Sequence, residues 1–73
     1  MPEIKMWPVK SPNVAAIGYD PESKTLRVQF NAGSLYEAEG VPQDVYDALA
    51  STNSKGSYYA KFIRGQYPIK KVG

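Results

Sequence analysis

The chain contains no cysteine and no histidine. Without cysteine it has neither a disulfide nor a thiolate metal site, so a disulfide-stapled secreted scaffold is excluded. Without histidine it lacks the usual neutral-pH base and the commonest zinc ligand. Asp44 and Asp47 have only an i, i+3 spacing, and there is no glycine-rich phosphate loop. We therefore expect no enzyme, no metal and no cofactor.

Long apolar runs are missing as well. The longest run, residues 14–17, has four residues, whereas a membrane-spanning helix needs about 20. The N-terminus has no apolar core of a secretory signal either. These features predict a cytoplasmic protein without a membrane partner.

The residues that are present fit one small globular domain. The 73 residues are 42% hydrophobic and 22% charged, which is the composition of a folded chain rather than a disordered tail. A chain of this length buries only ~60% of its unfolded surface, so the core must be small.

Charge is unevenly placed along the chain, although the net charge is only +2. Four acids and no base lie in residues 37–47, whereas residues 55–73 hold five bases and no acid. This layout predicts one acidic and one basic surface. The alternative is that the two segments pair with each other.

Two strands are indicated by alternation of apolar and other residues. Residues 15–19 form the first and residues 26–30 the second, joined by a turn at residues 20–24. Pairing Tyr19 with Leu26 places Ile17 opposite Val28.

A third strand is predicted over residues 35–41, after a turn at Gly33. We expect Phe30 to lie opposite Tyr36, so that both rings face the core. On the other face this register places Arg27 opposite Glu39 and Gln29 opposite Glu37.

Two helices are predicted after the strands. Pro42 and Asp44 suit a first turn, and the helix is expected to run to about Ala50. Ser54 is the predicted N-cap of a second helix that begins at Lys55.

The sequence thus predicts an α+β fold: a three-stranded antiparallel β-meander, order 1-2-3, followed by two α-helices packed on one face (β-β-β-α-α). Residues 1–10 form an N-terminal arm or short edge strand, residues 11–67 the domain, and residues 68–73 a basic tail. The predicted core is Ile17, Leu26, Val28, Phe30, Tyr36, Val45, Leu49, Phe62 and Ile63.

The chain resembles the KTSC domain from about Ser11 to Tyr67. This short module is named from the C-terminus of some lysyl-tRNA synthetases, and it also occurs as small stand-alone bacterial and phage proteins. The resemblance is carried by Ile17-Gly18-Tyr19-Asp20, Leu26-Arg-Val-Gln-Phe30, Gly33 with Tyr36, Val41-Pro42 with Val45-Tyr46 and Leu49, Ser54-Lys-Gly-Ser-Tyr58-Tyr59, and Ile63-Arg64 with Tyr67.

The resemblance implies RNA binding, from the synthetase context, and no particular reaction. Two positions depart from the family pattern. The third strand reads Tyr36-Glu37-Ala38 where the family has Tyr-x-Tyr, and Ala60 stands where relatives often have Asn. The missing ring weakens the case for a base-stacking platform on this strand.

The candidate site is the basic, tyrosine-rich C-terminal third, because cations interleaved with aromatic rings bind phosphates and stack on bases. Ser54 to Ser57 also opens a helix, whose free N–H groups attract anions. The alternative is that Ser54 only caps the helix and Gly56 permits close packing against the first helix. The candidate nucleic-acid or anion-binding residues are Lys55, Gly56, Tyr58, Lys61, Arg64, Tyr67, Lys70 and Lys71.

Arg64 has two interpretations. It either clamps a phosphate or carboxylate with its planar guanidinium or pairs internally with Asp44 or Asp47 on the first helix.

The leading hypothesis is a non-enzymatic module that binds single-stranded or structured RNA. The competing hypothesis is a protein-interaction domain, whose candidate partners are another protein or a second copy of the chain. It would use an edge strand or the sheet face that carries Arg27, Gln29, Glu37 and Glu39.

Overall fold

Five antiparallel strands form one sheet, in chain order, in the computed structural model, which describes residues 4–73. The strands are β1 (Met6–Pro8), β2 (Val14–Asp20), β3 (Thr25–Phe30), β4 (Leu35–Ala38) and β5 (Ile69–Lys71). The helices are α1 (Gln43–Ser51) and α2 (Lys55–Tyr58), which continues as a π-helical turn (Tyr59–Ile63). The α+β class with two helices is confirmed. The sheet has five strands instead of the predicted three.

The two additional strands come from the ends of the chain. β1 pairs with β2, with Met6 opposite Gly18, and β5 pairs with β4, with Lys70 opposite Glu37. The segments predicted as an arm and a tail therefore contain the two edge strands of the sheet. The part of the arm before Ile4 lies outside the described residues.

The predicted register of β2 and β3 is confirmed, with Tyr19 opposite Leu26 and Ile17 opposite Val28. A bulge at Ala15 interrupts this pairing between Val14 and Ala16. Because the bulge adds one residue to β2, the alternation of side chains changes, and Val14 and Ile17 are both buried although they are three residues apart.

The predicted register of β3 and β4 is wrong by two residues, because Val28 rather than Phe30 lies opposite Tyr36. The loop between these strands is tighter than expected. Gly33 has a φ of +99°, and the Phe30 N–H donates to the Ser34 carbonyl at 2.9 Å. The loop therefore has three residues, the length at which a left-handed glycine closes a hairpin.

An even shift of register leaves every side chain on its predicted face. Arg27 consequently still meets an acid, but this acid is Glu37 and not Glu39, and the two form a salt bridge. Gln29 lies opposite Leu35 instead of Glu37.

The core lies between the sheet and the helices. Its buried hydrophobic residues are Val14, Ile17, Leu26, Val28, Ala38, Val41, Leu49, Tyr59 and Ile63. Phe30 and Val45 of the predicted core pack against this cluster but are only partly buried. No helix within residues 4–73 has the length and apolar character needed to cross a membrane.

The placement of Phe62 in the core is wrong, since its side chain is 54% exposed. The Arg64 N–H donates to the Tyr59 carbonyl at 2.8 Å, five residues back, instead of the carbonyl four residues back. This π-helical turn holds one residue more than an α-helical turn. It keeps Tyr59 and Ile63 inward and leaves Phe62 in solvent.

Ser54 is the N-cap residue of α2, as predicted, but its side chain makes no capping hydrogen bond. The Ser54 N–H donates to the Thr52 hydroxyl at 3.1 Å, and the Ser54 carbonyl accepts the Tyr58 N–H at 2.9 Å. The helix does begin at Lys55, as predicted.

Candidate functional site

A groove of about 530 Å³ lies between the β3–β4 loop and the π-helical turn. A second depression, of about 360 Å³, continues it toward Asn13 and Gly56. The two share several lining residues, and we call the combined feature the Arg64 groove. Its lining residues are Pro12, Asn13, Phe30, Asn31, Ala32, Ser34, Tyr36, Gly56, Tyr59, Ala60, Arg64 and Ile69.

Three aromatic rings form one wall of the Arg64 groove. The Phe30 ring meets Tyr36 edge to face, with centroids 5.7 Å apart, and it meets Tyr59 in the same way at 5.3 Å. Tyr59 is 5% exposed, while the other two rings are partly exposed. Edge-to-face contacts of this kind hold rings in fixed orientations. The wall is therefore formed before any ligand arrives.

Arg64 lies at the junction of the two depressions, with an exposed side chain. Within residues 4–73 the only salt bridge joins Arg27 and Glu37. The alternative in which Arg64 pairs with Asp44 or Asp47 is therefore not what the structure shows. Among the described residues no hydrogen bond or ion pair engages the Arg64 guanidinium, so its five N–H donors are unpaired by protein groups.

The other basic residues of the C-terminal third do not all lie near the Arg64 groove. Lys55 is buried, and its Nζ donates to the Thr52 carbonyl at 2.8 Å. Lys70 lies opposite Glu37 on the helix-free face of the sheet, whereas Lys71 lies opposite Tyr36 on the helix side.

Lys61 is exposed on the π-helical turn. The helix side therefore carries Lys61, Arg64 and Lys71, while Lys55 is committed to the protein's own backbone and Lys70 sits among carboxylates.

The remaining candidate residues have mainly packing contacts. A Cβ on Gly56 would lie 3.0 Å from Asn13 Nδ2, so this glycine permits close approach to Asn13 and not to the first helix. Tyr58 stacks at a tilt on Phe62, with centroids 4.7 Å apart, and Tyr67 packs against the core.

A model of the KTSC domain matches residues 10–67. The chain belongs to the KTSC domain family. This confirms the resemblance noted in the sequence. The crystal structure of a KTSC domain protein from Yersinia pestis superposes with a TM-score of 0.89 and 33% identity, covering 97% of this chain and 100% of that one.

Relatives of this KTSC domain occur in two settings. A lysine–tRNA ligase of Nostoc sp. is 34% identical over 73 residues, which cover 96% of this chain but only 13% of the ligase. An uncharacterized protein of Stutzerimonas stutzeri is 34% identical over 64 residues, which cover 88% of this chain and 90% of that protein. The KTSC domain is thus part of a much longer chain in one relative and nearly the whole chain in the other.

Arg64 of the KTSC domain was predicted from the sequence as a candidate site residue, but the groove around it was not. Phe30 ends β3 and Tyr36 belongs to β4, and both are far from Arg64 in sequence. Phe30 and Tyr36 were both predicted on the core face of the sheet. Since the helices were predicted to pack on this face, that prediction is the signal that could have placed the two rings near Arg64. Within residues 4–73 no cluster of His, Cys, Asp or Glu side chains is able to hold a metal ion.

Burial raises the pKa of the Tyr59 phenol above its ordinary value of 10.0. The nearby Tyr36 raises this pKa further, and Arg64 partly offsets the effect. Burial likewise raises the pKa of the phenols of Tyr19 and Tyr46. All three rings are therefore neutral hydrogen-bonding groups at physiological pH.

These shifts predict that the KTSC domain loses stability at alkaline pH. A phenol whose pKa is raised on folding stabilises the native state fully below pH 10, and this contribution is lost as the pH rises through the folded value. Urea unfolding at a series of pH values should show a constant midpoint up to about pH 10 and then a decline. Tyr59→Phe should have a shallower decline; an equally steep one would show that the Tyr59 hydroxyl is not involved.

Proposed function

We propose that this KTSC domain is a non-enzymatic module that binds a short unpaired stretch of RNA in the Arg64 groove. The observation that carries the proposal is the exposed Arg64 guanidinium, which has no carboxylate partner within residues 4–73 and borders a wall of aromatic rings. A guanidinium binds a phosphate with two parallel hydrogen bonds, while aromatic and apolar surface accepts a base.

The shape of the groove favours an unpaired strand over a duplex. The groove is an open depression whose volume lies in the range of small-ligand sites. Bases in a duplex are stacked and paired, so only an unpaired nucleotide is able to place its base between the β3–β4 loop and Arg64.

The cations that remain available make binding weak and salt-sensitive. Lys61, Arg64 and Lys71 are exposed on the helix side, so no more than about three phosphate contacts are expected. For a single strand each contact lowers the logarithm of the affinity by ~0.7 per logarithmic unit of salt. The expected slope is therefore about −2.

The relatives support RNA as the ligand. The lysine–tRNA ligase of Nostoc sp., an enzyme named for a tRNA substrate, carries a KTSC domain within its longer chain. A single-strand site on this domain suits the unpaired loops or ends of a folded RNA. The compartment that we propose for such binding is the bacterial cytoplasm.

The geometry gives less support to a protein-interaction function. Each edge strand has only three residues; β1 includes Pro8, and β5 includes Lys70 and Lys71. Short edges that carry proline or lysine discourage pairing with another chain. On the helix-free face Arg27 is already paired with Glu37.

Replacing Arg64 by alanine should weaken RNA binding by about tenfold or more, because hydrogen bonds to charged groups contribute about 1.5–3 kcal/mol. Fluorescence anisotropy of a labelled single-stranded RNA at low salt measures the affinity. Lys24→Ala is the matched control, since it also removes one exposed cation but lies at the opposite end of β3 from Phe30.

Two results would contradict the proposal. Equal affinities of the Arg64→Ala and Lys24→Ala variants would show that the groove is not the site. Absence of binding by the unmodified protein at tens of micromolar and low salt would remove RNA as the ligand altogether.

A further inference from the structure

The exposure of Phe62 is not explained by the Arg64 groove. Its side chain is 54% exposed between the buried Tyr59 and Ile63, and the π-helical turn is what directs it outward. A phenylalanine that is more than half exposed forgoes part of the free energy that burial of its ring would contribute. Such π-helical insertions are frequent at functional sites.

Phe62 does not stand alone. Its ring packs on Tyr58, and the pair borders a small cleft of about 170 Å³ that Lys61 also lines. Thr52 and Ser57, which carry hydroxyl groups, also line the cleft. The result is a solvent-facing aromatic surface beside a cation.

This surface and the Arg64 groove lie on two flanks of the same short helical segment. Gly56, Ala60 and Arg64 line the groove, whereas Ser57 and Lys61 line the cleft. Lys61 and Arg64 are three residues apart, and each flank carries one of the two cations. No acidic residue lines either flank, so the charged side chains that line the groove and the cleft, Arg64 and Lys61, are both positive.

We propose that Phe62 is a second stacking position for the strand held in the Arg64 groove. The strand crosses the helix with its phosphates on Arg64 and Lys61, and a following base stacks on the Phe62 ring. This inference rests on the proposed function, and it specifies the ligand as a strand long enough to reach both flanks. Stacking on an aromatic ring needs no particular base, so the position is tolerant of sequence.

A second copy of the chain fits this surface less well. In a two-fold dimer the same patch meets itself, so Lys61 and Arg64 of one copy would approach the same cations of the other copy. Like charges brought together across an interface oppose association. The cations Lys61 and Arg64 are complementary to a polyanion instead.

The test compares a dinucleotide with an octanucleotide of single-stranded RNA. Phe62→Ala should weaken octanucleotide binding by about fivefold or more, because stacking on one ring contributes about 1–3 kcal/mol per base. It should leave dinucleotide binding unchanged. Phe62→Trp, which retains a ring, should restore the octanucleotide affinity.

Trp7→Ala is the matched control, because Trp7 is 53% exposed but lies on the edge strand β1. It should leave the affinity for both RNAs unchanged, and circular dichroism checks that each variant is folded. Unchanged octanucleotide binding by Phe62→Ala would overturn the inference while the Arg64 result stands. A concentration-dependent dimer that Phe62→Ala converts to monomer, without an effect on RNA, would overturn it in favour of a second copy.

Discussion

Replacing Ile63 by alanine should lower the free energy of unfolding by about 2–5 kcal/mol, the range found when a large core residue is truncated. Ile63 is fully buried where the π-helical turn meets the sheet. A domain of this size has a total stability of roughly 4–11 kcal/mol, so the variant should be close to its unfolding limit. Urea denaturation followed by circular dichroism measures the difference.

The neighbouring residue provides the control. Phe62→Ala removes a larger side chain, but this side chain is more than half exposed, so we expect a loss of about 1 kcal/mol or less. A regular α-helix with Phe62 in the core would give the opposite result, with comparable losses for both variants. Comparable losses would therefore contradict the π-helical turn.

Gly18→Ala should be the second strongly destabilising change, with an expected cost of about 1–3 kcal/mol from overpacking. The added Cβ would lie 2.5 Å from the Lys5 carbonyl oxygen, 2.8 Å from Met6 Sδ and 2.9 Å from Ile4 Cγ2. The nearest of these atoms belongs to the backbone, so β1 would have to move away from β2. The Val9 N–H, which donates to the Ala15 carbonyl at 3.0 Å, should then exchange faster with solvent.

Gly65→Ala is the control for this change. No atom lies within 4 Å of the position that its Cβ would take, so we expect stability within about 0.5 kcal/mol of the unmodified protein. If Gly18→Ala were equally stable and Val9 remained protected, the packing of β1 over Gly18 would be refuted.

The hairpin of β2 and β3 was predictable because its evidence is local. Two alternating segments joined by a short turn allow one register in which Ile17 and Val28 share the buried face. The register of β4 depended on how tightly Gly33 closes the next loop. In β4 the alternation of apolar residues predicted which face each side chain lies on. The residue that each one pairs with depended on the conformation of the loop at Gly33.

The edge strands were not predictable in the same way. β1 and β5 have three residues each, which is too few to show alternation, and Pro8 and Lys70 are unusual in a strand. Their pairing depends on the sheet already present beside them. Short segments of this kind take their conformation from tertiary contacts.

The candidate site was likewise predictable only in the part that depends on local sequence. Arg64 was identified from composition, but the groove is completed by Phe30 and Tyr36, which the sheet brings to the helix. Lys55 belongs to the same basic stretch, yet its Nζ bonds to the Thr52 carbonyl and is withdrawn from solvent. Closeness in sequence therefore did not predict a shared surface.

Chemical-shift mapping with a single-stranded RNA tests the central claim most directly. In a titration of the ¹⁵N-labelled domain, the backbone amides of Ala32, Ser34, Ala60 and Arg64 should shift together, since these residues line the groove. The amide of Lys24, which precedes β3 at the end of that strand away from Phe30, should stay unchanged. Shifts centred on Lys24, or no shifts at saturating RNA, would contradict a binding site at Arg64.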